Sequence, residues 1–252
     1  MKILKPISLS CLSVSFAAVP FLQSGINIPS DESGSKHLTY LTPTNPKINI
    51  SSTTVGATVL YNNLHLLNYG LSEDAFDFAY KGYQHLIAKR RINNANYLTI
   101  CDFSQSSRNK RLYIIDLKNE QLLINTYVAH GRNSGREYAN RFSNRPESME
   151  SSLGFYVTSN TYYGEHGLSL KVQGLEAGFN DRAAKREIVI HGATYIDHDY
   201  LQRSHFMGRS FGCPAVPQNE SKTIINTIKN GTCFFIYHPD KRYLQRSKIL
   251  ND

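Results

Sequence analysis

The sequence predicts a mainly β domain with flanking helices, and three features point to it. Short apolar runs in the middle of the chain are bounded by turn residues, as strands are. Apolar residues recur at helical spacing over 73–90, and 218–229 reads as a second helix after the central strands. The chain has 252 residues, 40% of them hydrophobic and 19% charged, so it resembles a folded protein and is long enough to bury a core.

The N-terminus predicts an export signal. Lys2 and Lys5 precede an uncharged run of apolar and small residues over 7–22. Pro20 and the scattered serines disfavour a stable membrane-spanning helix. We therefore predict a signal peptide over 1–25 and an exported protein, periplasmic or associated with the cell envelope, with no stable membrane span after signal removal.

The next segment, 26–60, is rich in Ser, Thr, Pro, Asn and Gly, which predicts a flexible linker. A folded domain is predicted over 61–245. Its first helix begins at Ser72, a good N-cap, and Glu73 and Asp74 follow in the first turn, where negative charge is favourable.

The strands are predicted in chain order from apolar runs. They cover 98–103, 112–117, 121–129, 153–158, 168–172, 187–190 and 232–237. Residues 197–204 predict one or two helical turns. The polar, glycine-containing segment 131–152 predicts a long loop, which in a compact domain is often functional. His166 is interpreted as a turn residue between two strands.

The net charge of +8 favours an anionic partner. The basic residues are scattered, and no recognised nucleic-acid-binding motif accompanies them, so we predict no nucleic-acid partner. We also predict no cofactor and no metal, and the sequence does not indicate an oligomeric state.

The chain has four cysteines, and Cys11 lies in the predicted signal. The remaining three are an odd number, so at least one thiol of the exported protein is unpaired. Cys101 and Cys233 lie in apolar, strand-like runs, which favours packing in the core, although the sequence does not exclude a disulfide between them.

Cys213, between Gly212 and Pro214, can be interpreted as a packing residue, half of a disulfide, a metal ligand or a nucleophile. A nucleophilic thiol needs a neighbouring base and backbone N–H donors for the developing oxyanion. His191 is favoured as the base because it ends an apolar strand, and the loop histidines His130, His166, His198 and His205 are the alternatives. A zinc site formed by His191, His198 and Cys213 is conceivable, but the spacing matches no standard zinc pattern.

The ordered motifs resemble those of the L,D-transpeptidase catalytic domain, and most closely its exported murein branch. His191-Gly192 is followed after 22 positions by Cys213 in Ser-x-Gly-Cys. The stretches that carry the resemblance, within about 70–240, are DFSQSSRNKRLYIIDL, VAHGRNSG, SSLGFYVT, TYYGEHGLSL, GFNDRAAKREIVIHGA and GRSFGCPAVP. This chain departs from the wider family's pattern at Phe211 and at Pro214-Ala215.

The resemblance implies a fold, a reaction and a site. The fold would be a small β-sandwich with flanking helices, and the substrate a peptidoglycan stem peptide. Cys213 would form a thioester that a second stem peptide resolves into a 3→3 cross-link. L,D-carboxypeptidase activity and a non-catalytic peptidoglycan-binding module are the alternatives. The implied catalytic residues are Cys213, His191, Ser210 and Gly212, and the predicted substrate contacts are Gly192, Arg209, His130 and Arg132.

Overall fold

The computed structural model describes residues 52–252 of the chain. The strands are β1 (Tyr97–Asp102), β2 (Leu112–Asp116), β3 (Gln121–Thr126), β4 (Gly154–Gly164), β5 (Gly167–Gly174), β6 (Val189–Ala193), β7 (Ala215–Pro217) and β8 (Cys233–Tyr237). The helices are α1 (Ser52–Asn63), α2 (Glu73–Ala88), α3 (His198–Arg203), α4 (Ser221–Ile228), α5 (Lys241–Arg246) and α6 (Lys248–Asn251), with a 3₁₀ turn at Leu66–Tyr69.

All eight strands form one mixed sheet in the order β3-β2-β1-β8-β4-β5-β6-β7. Strand β8 is parallel to β1 and antiparallel to β4, so the strand nearest the C-terminus lies in the middle of the sheet. The last pair, β6 and β7, is parallel and places His191 opposite Ala215. Adjacent strands β5 and β6 are antiparallel, with Ser169 opposite His191.

The two ends of the sheet meet. The chain leaving β3 reaches β7, where the Ala129 N–H donates to the Ala215 carbonyl at 2.8 Å. A parallel bridge between Gly131 and Ser210 continues this contact. The sheet is thereby nearly closed, and its edges are covered rather than open to pairing with another chain.

The core lies between α2 and the central strands. Every residue of β8 is buried, and α2 buries one face that includes Phe76 and Leu86. Helix α2 approaches β4 so closely that a Cβ on Gly82 would overlap the ring of Phe155. The Phe155 ring in turn stacks on that of Phe235 with centroids 4.1 Å apart.

The predicted mainly β class with flanking helices is confirmed, and the predicted strands and helices are present with small shifts at their ends. Strand β4 extends to Gly164, well beyond the predicted residue 158, because β4 and β5 form a long hairpin. The prediction missed β7, α5 and α6, which are too short to produce a sequence period.

The linker prediction for 26–60 differs from the structure at its C-terminal end. Helix α1 begins at Ser52 and buries Ala57 and Tyr61. The Tyr61 hydroxyl donates to the Leu71 carbonyl at 2.6 Å, which ties this helix to the start of α2. The predicted signal peptide and the linker up to residue 51 lie outside the described residues. No helix within 52–252 is long and apolar enough to cross a membrane.

We expect Gly82→Ala to lower the free energy of unfolding by about 1–3 kcal/mol, because a methyl group would overpack α2 against Phe155. Urea denaturation measures this change. Gly56→Ala in α1 is the matched control, since a Cβ there has open space and alanine favours a helix. An equal loss of stability in both variants would contradict this account of the helix–sheet contact.

Candidate active site

Cys213 lies in a tight turn that Ser210 holds together. The Ser210 hydroxyl accepts the Gly212 N–H at 3.0 Å and donates to the Cys213 carbonyl at 2.6 Å. Gly212 has φ +129°, a value that favours glycine, and a Cβ there would lie 3.0 Å from the Glu150 carbonyl oxygen. The Ser-x-Gly-Cys pattern is therefore the sequence requirement of this turn.

The turn is anchored to the segment that follows β3. The Ser210 N–H donates to the His130 carbonyl at 3.0 Å, and the Arg132 N–H donates to the Ser210 carbonyl at 2.7 Å. These two bonds flank the bridge between Gly131 and Ser210. The position of Cys213 thus depends on the closure of the sheet.

The side chain of a buried arginine, Arg111, stabilises this anchor. Arg111 is fully buried, and its guanidinium donates to the carbonyls of Val128 and Gln105. It also lies 2.7 Å from Nδ1 of the buried His130. Because a guanidinium can only donate, Nδ1 is the accepting nitrogen. Burial and then Arg111 lower the pKa of His130 to about 3, so this ring is neutral.

The Cys213 thiol faces the backbone that leads into β6. The Val189 N–H lies 3.5 Å from Sγ, and the thiol points to the Glu187 carbonyl at 3.7 Å. Burial raises the pKa of the Cys213 thiol, while the Val189 N–H and the Arg186 guanidinium oppose that rise. In the resting protein the sulfur is therefore mainly protonated.

His191 is buried on β6 and has a fixed tautomer. Its Nδ1 lies 2.9 Å from the Gly192 carbonyl oxygen. A carbonyl only accepts, so Nδ1 carries the hydrogen and Nε2 carries the free lone pair. The ring of His166, from the β4–β5 turn, stacks on His191 with centroids 4.2 Å apart and planes 19° apart. Burial lowers the pKa of His191, the Gly192 carbonyl opposes this, and His166 lowers it further.

The sheet brings Cys213 and His191 into one region. His191 pairs with Ala215, two residues after Cys213. Within the described residues, the hydrogen bonds of Sγ go to the backbone of residues 187 and 189, and His191 is not among its partners. Proton transfer from Sγ to Nε2 therefore requires a side-chain rotation or one bridging water, as is common before substrate binds.

A second arginine, Arg186, lies near the Cys213 thiol and is bonded to the loop 131–152. Its guanidinium donates to the Ser143 carbonyl at 2.8 Å and to the Glu150 carbonyl at 2.6 Å, and it also bonds to the Ser152 hydroxyl. These contacts tie the predicted loop 131–152 to the segment before β6. The same guanidinium provides positive charge near Cys213 and favours its thiolate.

The turn also limits which amides can stabilise an oxyanion. The N–H of Gly212, a predicted contributor, already donates to Ser210. Over the described range, the N–H groups of Cys213 and Phe211 have no hydrogen-bond partner. These two amides are the available donors for negative charge that develops next to Sγ.

The four predicted substrate contacts differ in accessibility. Arg209 and Arg132 are exposed beside the turn. The His130 side chain is fully buried, which argues against its predicted contact with substrate. Gly192 is also buried, and a Cβ there would meet the Ser221 hydroxyl, so this glycine is explained by the packing of β6 on α4.

Within the described residues, Cys213 has no disulfide partner and no metal site, although its side chain does pack against the core. Among residues 52–252, Cys101, Cys213 and Cys233 form no disulfide, and Cys101 and Cys233 are buried on neighbouring strands. No group of three His, Cys, Asp or Glu side chains within residues 52–252 is arranged to hold a metal ion. The predicted alternative with His198 therefore has no preformed site here.

Sequence reasoning missed two residues that matter at the site, Arg111 and Arg186. Each gave one signal, a charged residue directly beside an apolar strand. His166 was predicted as a turn residue, but its stacking on His191 was not predicted, because that contact depends on how the β4–β5 hairpin turns back over β6.

Comparisons with known proteins identify the domain. The family model described as the L,D-transpeptidase catalytic domain matches residues 67–237. Similar solved structures include an L,D-transpeptidase from Mycobacterium smegmatis (9% identity, 57% of this chain and 59% of that chain, TM-score 0.35). Another is an L,D-transpeptidase from Mycobacterium tuberculosis H37Rv (11% identity, 57% and 58%, TM-score 0.34). A third is the L,D-transpeptidase of Xylanimonas cellulosilytica (13% identity, 71% and 93%, TM-score 0.32).

The match thus spans 59% and 58% of the two mycobacterial chains. A search of curated proteins finds no match to the chain.

We expect iodoacetamide to alkylate Cys213 in the native protein and to leave Cys101 and Cys233 unmodified until urea unfolds the sheet, because both are fully buried. Peptide mapping by mass spectrometry measures this. The alkylation rate should still increase with pH at about pH 9, since burial raises the pKa of Cys213. Rapid native labelling of Cys101 or Cys233 would contradict the described core.

Proposed function

Because the chain belongs to the L,D-transpeptidase catalytic domain family, we propose that it is an exported cysteine L,D-transpeptidase of the cell envelope that acts on peptidoglycan stem peptides. One observation carries the proposal. A partly exposed thiol, Cys213, is held in a Ser210-bonded turn near a buried histidine, His191, whose Nε2 makes no hydrogen bond among residues 52–252. The family's motif residues and this geometry fall on the same positions.

The first step forms a thioester. As the substrate carbonyl approaches, Nε2 of His191 takes the thiol proton, and Sγ attacks the carbonyl carbon of the third stem-peptide residue. The negative charge that develops on the carbonyl oxygen is stabilised by the N–H groups of Cys213 and Phe211. The C–N bond then breaks, and the His191 imidazolium returns its proton to the amine of the leaving terminal D-residue.

The second step resolves the thioester. The side-chain amine of another stem peptide attacks the acyl carbon, and its proton passes to His191. The C–S bond breaks, Sγ recovers the proton, and the product is a 3→3 cross-link. Water in place of the amine would release a tripeptide, the product of an L,D-carboxypeptidase.

The resting pKa directions are compatible with this cycle. Burial raises the pKa of Cys213 and lowers that of His191, so both groups are neutral before substrate binds. Arg186 and the Val189 N–H favour the thiolate that forms on proton transfer. His191 therefore serves as a general base, and the thiolate forms during the reaction.

We expect the purified protein to convert tetrapeptide muropeptides into cross-linked dimers, and Cys213→Ala to abolish the conversion. We expect His191→Ala to slow it by about 10²–10⁴-fold, the usual contribution of a general base. His198→Ala is the matched histidine control, since His198 lies on the exposed face of α3. Mass spectrometry of the products measures all three.

Intact mass after carbapenem treatment reports independently whether Cys213 is acylated. If the wild type forms neither dimers nor tripeptides and the carbapenem leaves its mass unchanged, the proposed enzymatic activity is contradicted. That result would favour a non-catalytic wall-binding module. Tripeptide without dimer would assign the carboxypeptidase reaction instead.

We expect the acid limb of the pH–rate profile to move in opposite directions in two variants of His166. A positively charged neighbour makes proton loss from His191 easier, and His166 lowers the pKa of His191. His166→Phe keeps a stacking ring without charge, so the limb should move to higher pH. His166→Arg adds a permanent charge, so the acid limb should move to lower pH. Identical limbs in both variants would exclude an electrostatic influence of His166.

A further inference from the structure

A basic groove of about 690 Å³ opens beside the Cys213 turn. We call it the arginine groove. Its lining includes Arg132, Arg136, Arg203, Arg209, Phe206 and Phe211, and it contains no Asp or Glu. No carboxylate among the lining residues therefore offsets the positive charge of the four guanidinium groups.

Three of the four arginines lie on aromatic rings. The guanidinium carbons of Arg136 and Arg209 each lie 5.5 Å from the centroid of Phe206. Arg132 lies 5.7 Å from the centroid of Phe211, whose side chain is 68% exposed. A ring face orients a guanidinium and leaves its N–H edge free to bind an anion.

Most of these N–H donors are unused. Arg209 donates to the carbonyls of Arg132 and Gly135. The side chains of Arg132, Arg136 and Arg203 make no hydrogen bond and no ion pair within the part of the chain that the structure describes. Three exposed guanidinium groups with free donors make a site for planar anions such as carboxylates, which they can bind through two parallel hydrogen bonds.

The groove and the thiol share one segment of chain. Gly208, Arg209 and Phe211 line the groove, and Phe211 stands two residues before Cys213. Tyr195 also lines the groove, and its carbonyl accepts the Gly208 N–H at 3.1 Å. The Tyr195 hydroxyl is near enough to the thiol that Cys213 contributes, after burial, to raising the Tyr195 pKa. A peptide that lies in the groove can therefore continue to Sγ.

We propose that the arginine groove binds the free carboxylates of the peptide substrate and so positions its backbone at Cys213. This inference rests on the proposed function for the identity of the peptide. It assigns to Arg136 and Arg203, as well as Arg132 and Arg209, the recognition of negative charge. It also gives Phe211 a role, as the ring that supports Arg132.

Binding without turnover tests the groove. The full chain carrying Cys213→Ala is titrated against a fluorescent stem tetrapeptide with free carboxylates and against the same peptide with those carboxylates converted to amides. We expect the amidated peptide to bind about tenfold more weakly, the effect of losing one charge-assisted contact at a partly exposed site. Equal affinity for the two peptides would overturn the proposal.

A charge-matched pair of variants locates the site. Arg136→Gln with Arg203→Gln, in the Cys213→Ala background, should weaken binding of the free-carboxylate peptide by about tenfold or more. Lys222→Gln with Arg246→Gln removes the same charge from exposed positions outside the groove and should leave binding unchanged. Arg136→Lys with Arg203→Lys keeps the charge and should restore part of the affinity. Equal weakening by the two Gln pairs would reduce the effect to net charge and overturn the proposal.

Two further outcomes separate this proposal from the proposed function. Carboxylate-dependent binding by the Cys213→Ala protein supports the groove even when the wild type forms no thioester. A poly(glycerol phosphate) chain that displaces the peptide at a lower concentration than free peptide does would assign the groove to a phosphate polymer and overturn its assignment to the peptide. Neutral iodoacetamide should alkylate Cys213 equally in the wild type and in a separate Arg136→Gln/Arg203→Gln variant that retains Cys213, which checks that the turn is intact.

Discussion

The parallel bridge between Gly131 and Ser210 is the contact on which the site depends. It closes the sheet, because the chain after β3 and the chain before β7 come from opposite ends of the strand order. Ser210 then uses its backbone for the bridge and its hydroxyl for the turn. A single serine thereby connects the global closure of the sheet to the local position of Cys213.

Burial sets the protonation states around this bridge. It raises the pKa of Cys213 and lowers those of His191 and His130, so uncharged forms are favoured in all three. Two arginines provide positive charge near these groups. Arg111 contacts His130 next to the bridge, and Arg186 lies near the Cys213 thiol. The thiol and both imidazoles are thus neutral at rest, and the nearby arginines would favour the negative charge that the proposed acyl transfer develops.

Five arginines near the site divide into two groups by their partners. Arg111 and Arg186 are bonded to backbone carbonyls and hold loops in place. Arg132, Arg136 and Arg203 are exposed, and in the described residues their guanidinium groups have no carboxylate partner. Backbone carbonyls satisfy a buried guanidinium without neutralising it, whereas the exposed group keeps its donors for a ligand.

Local sequence patterns were enough to locate the central strands, helices α2 and α4, and the motif. Apolar periodicity located the strands that form the centre of the sheet, and Ser210-x-Gly212-Cys213 located the turn, because both are local properties of the chain. Tertiary structure alone decided that His130 is buried under the turn, that Gly192 packs on α4, and that His166 stacks on His191. These contacts join segments far apart in sequence, and their geometry follows from strand order and sheet closure, which no local pattern of residues encodes.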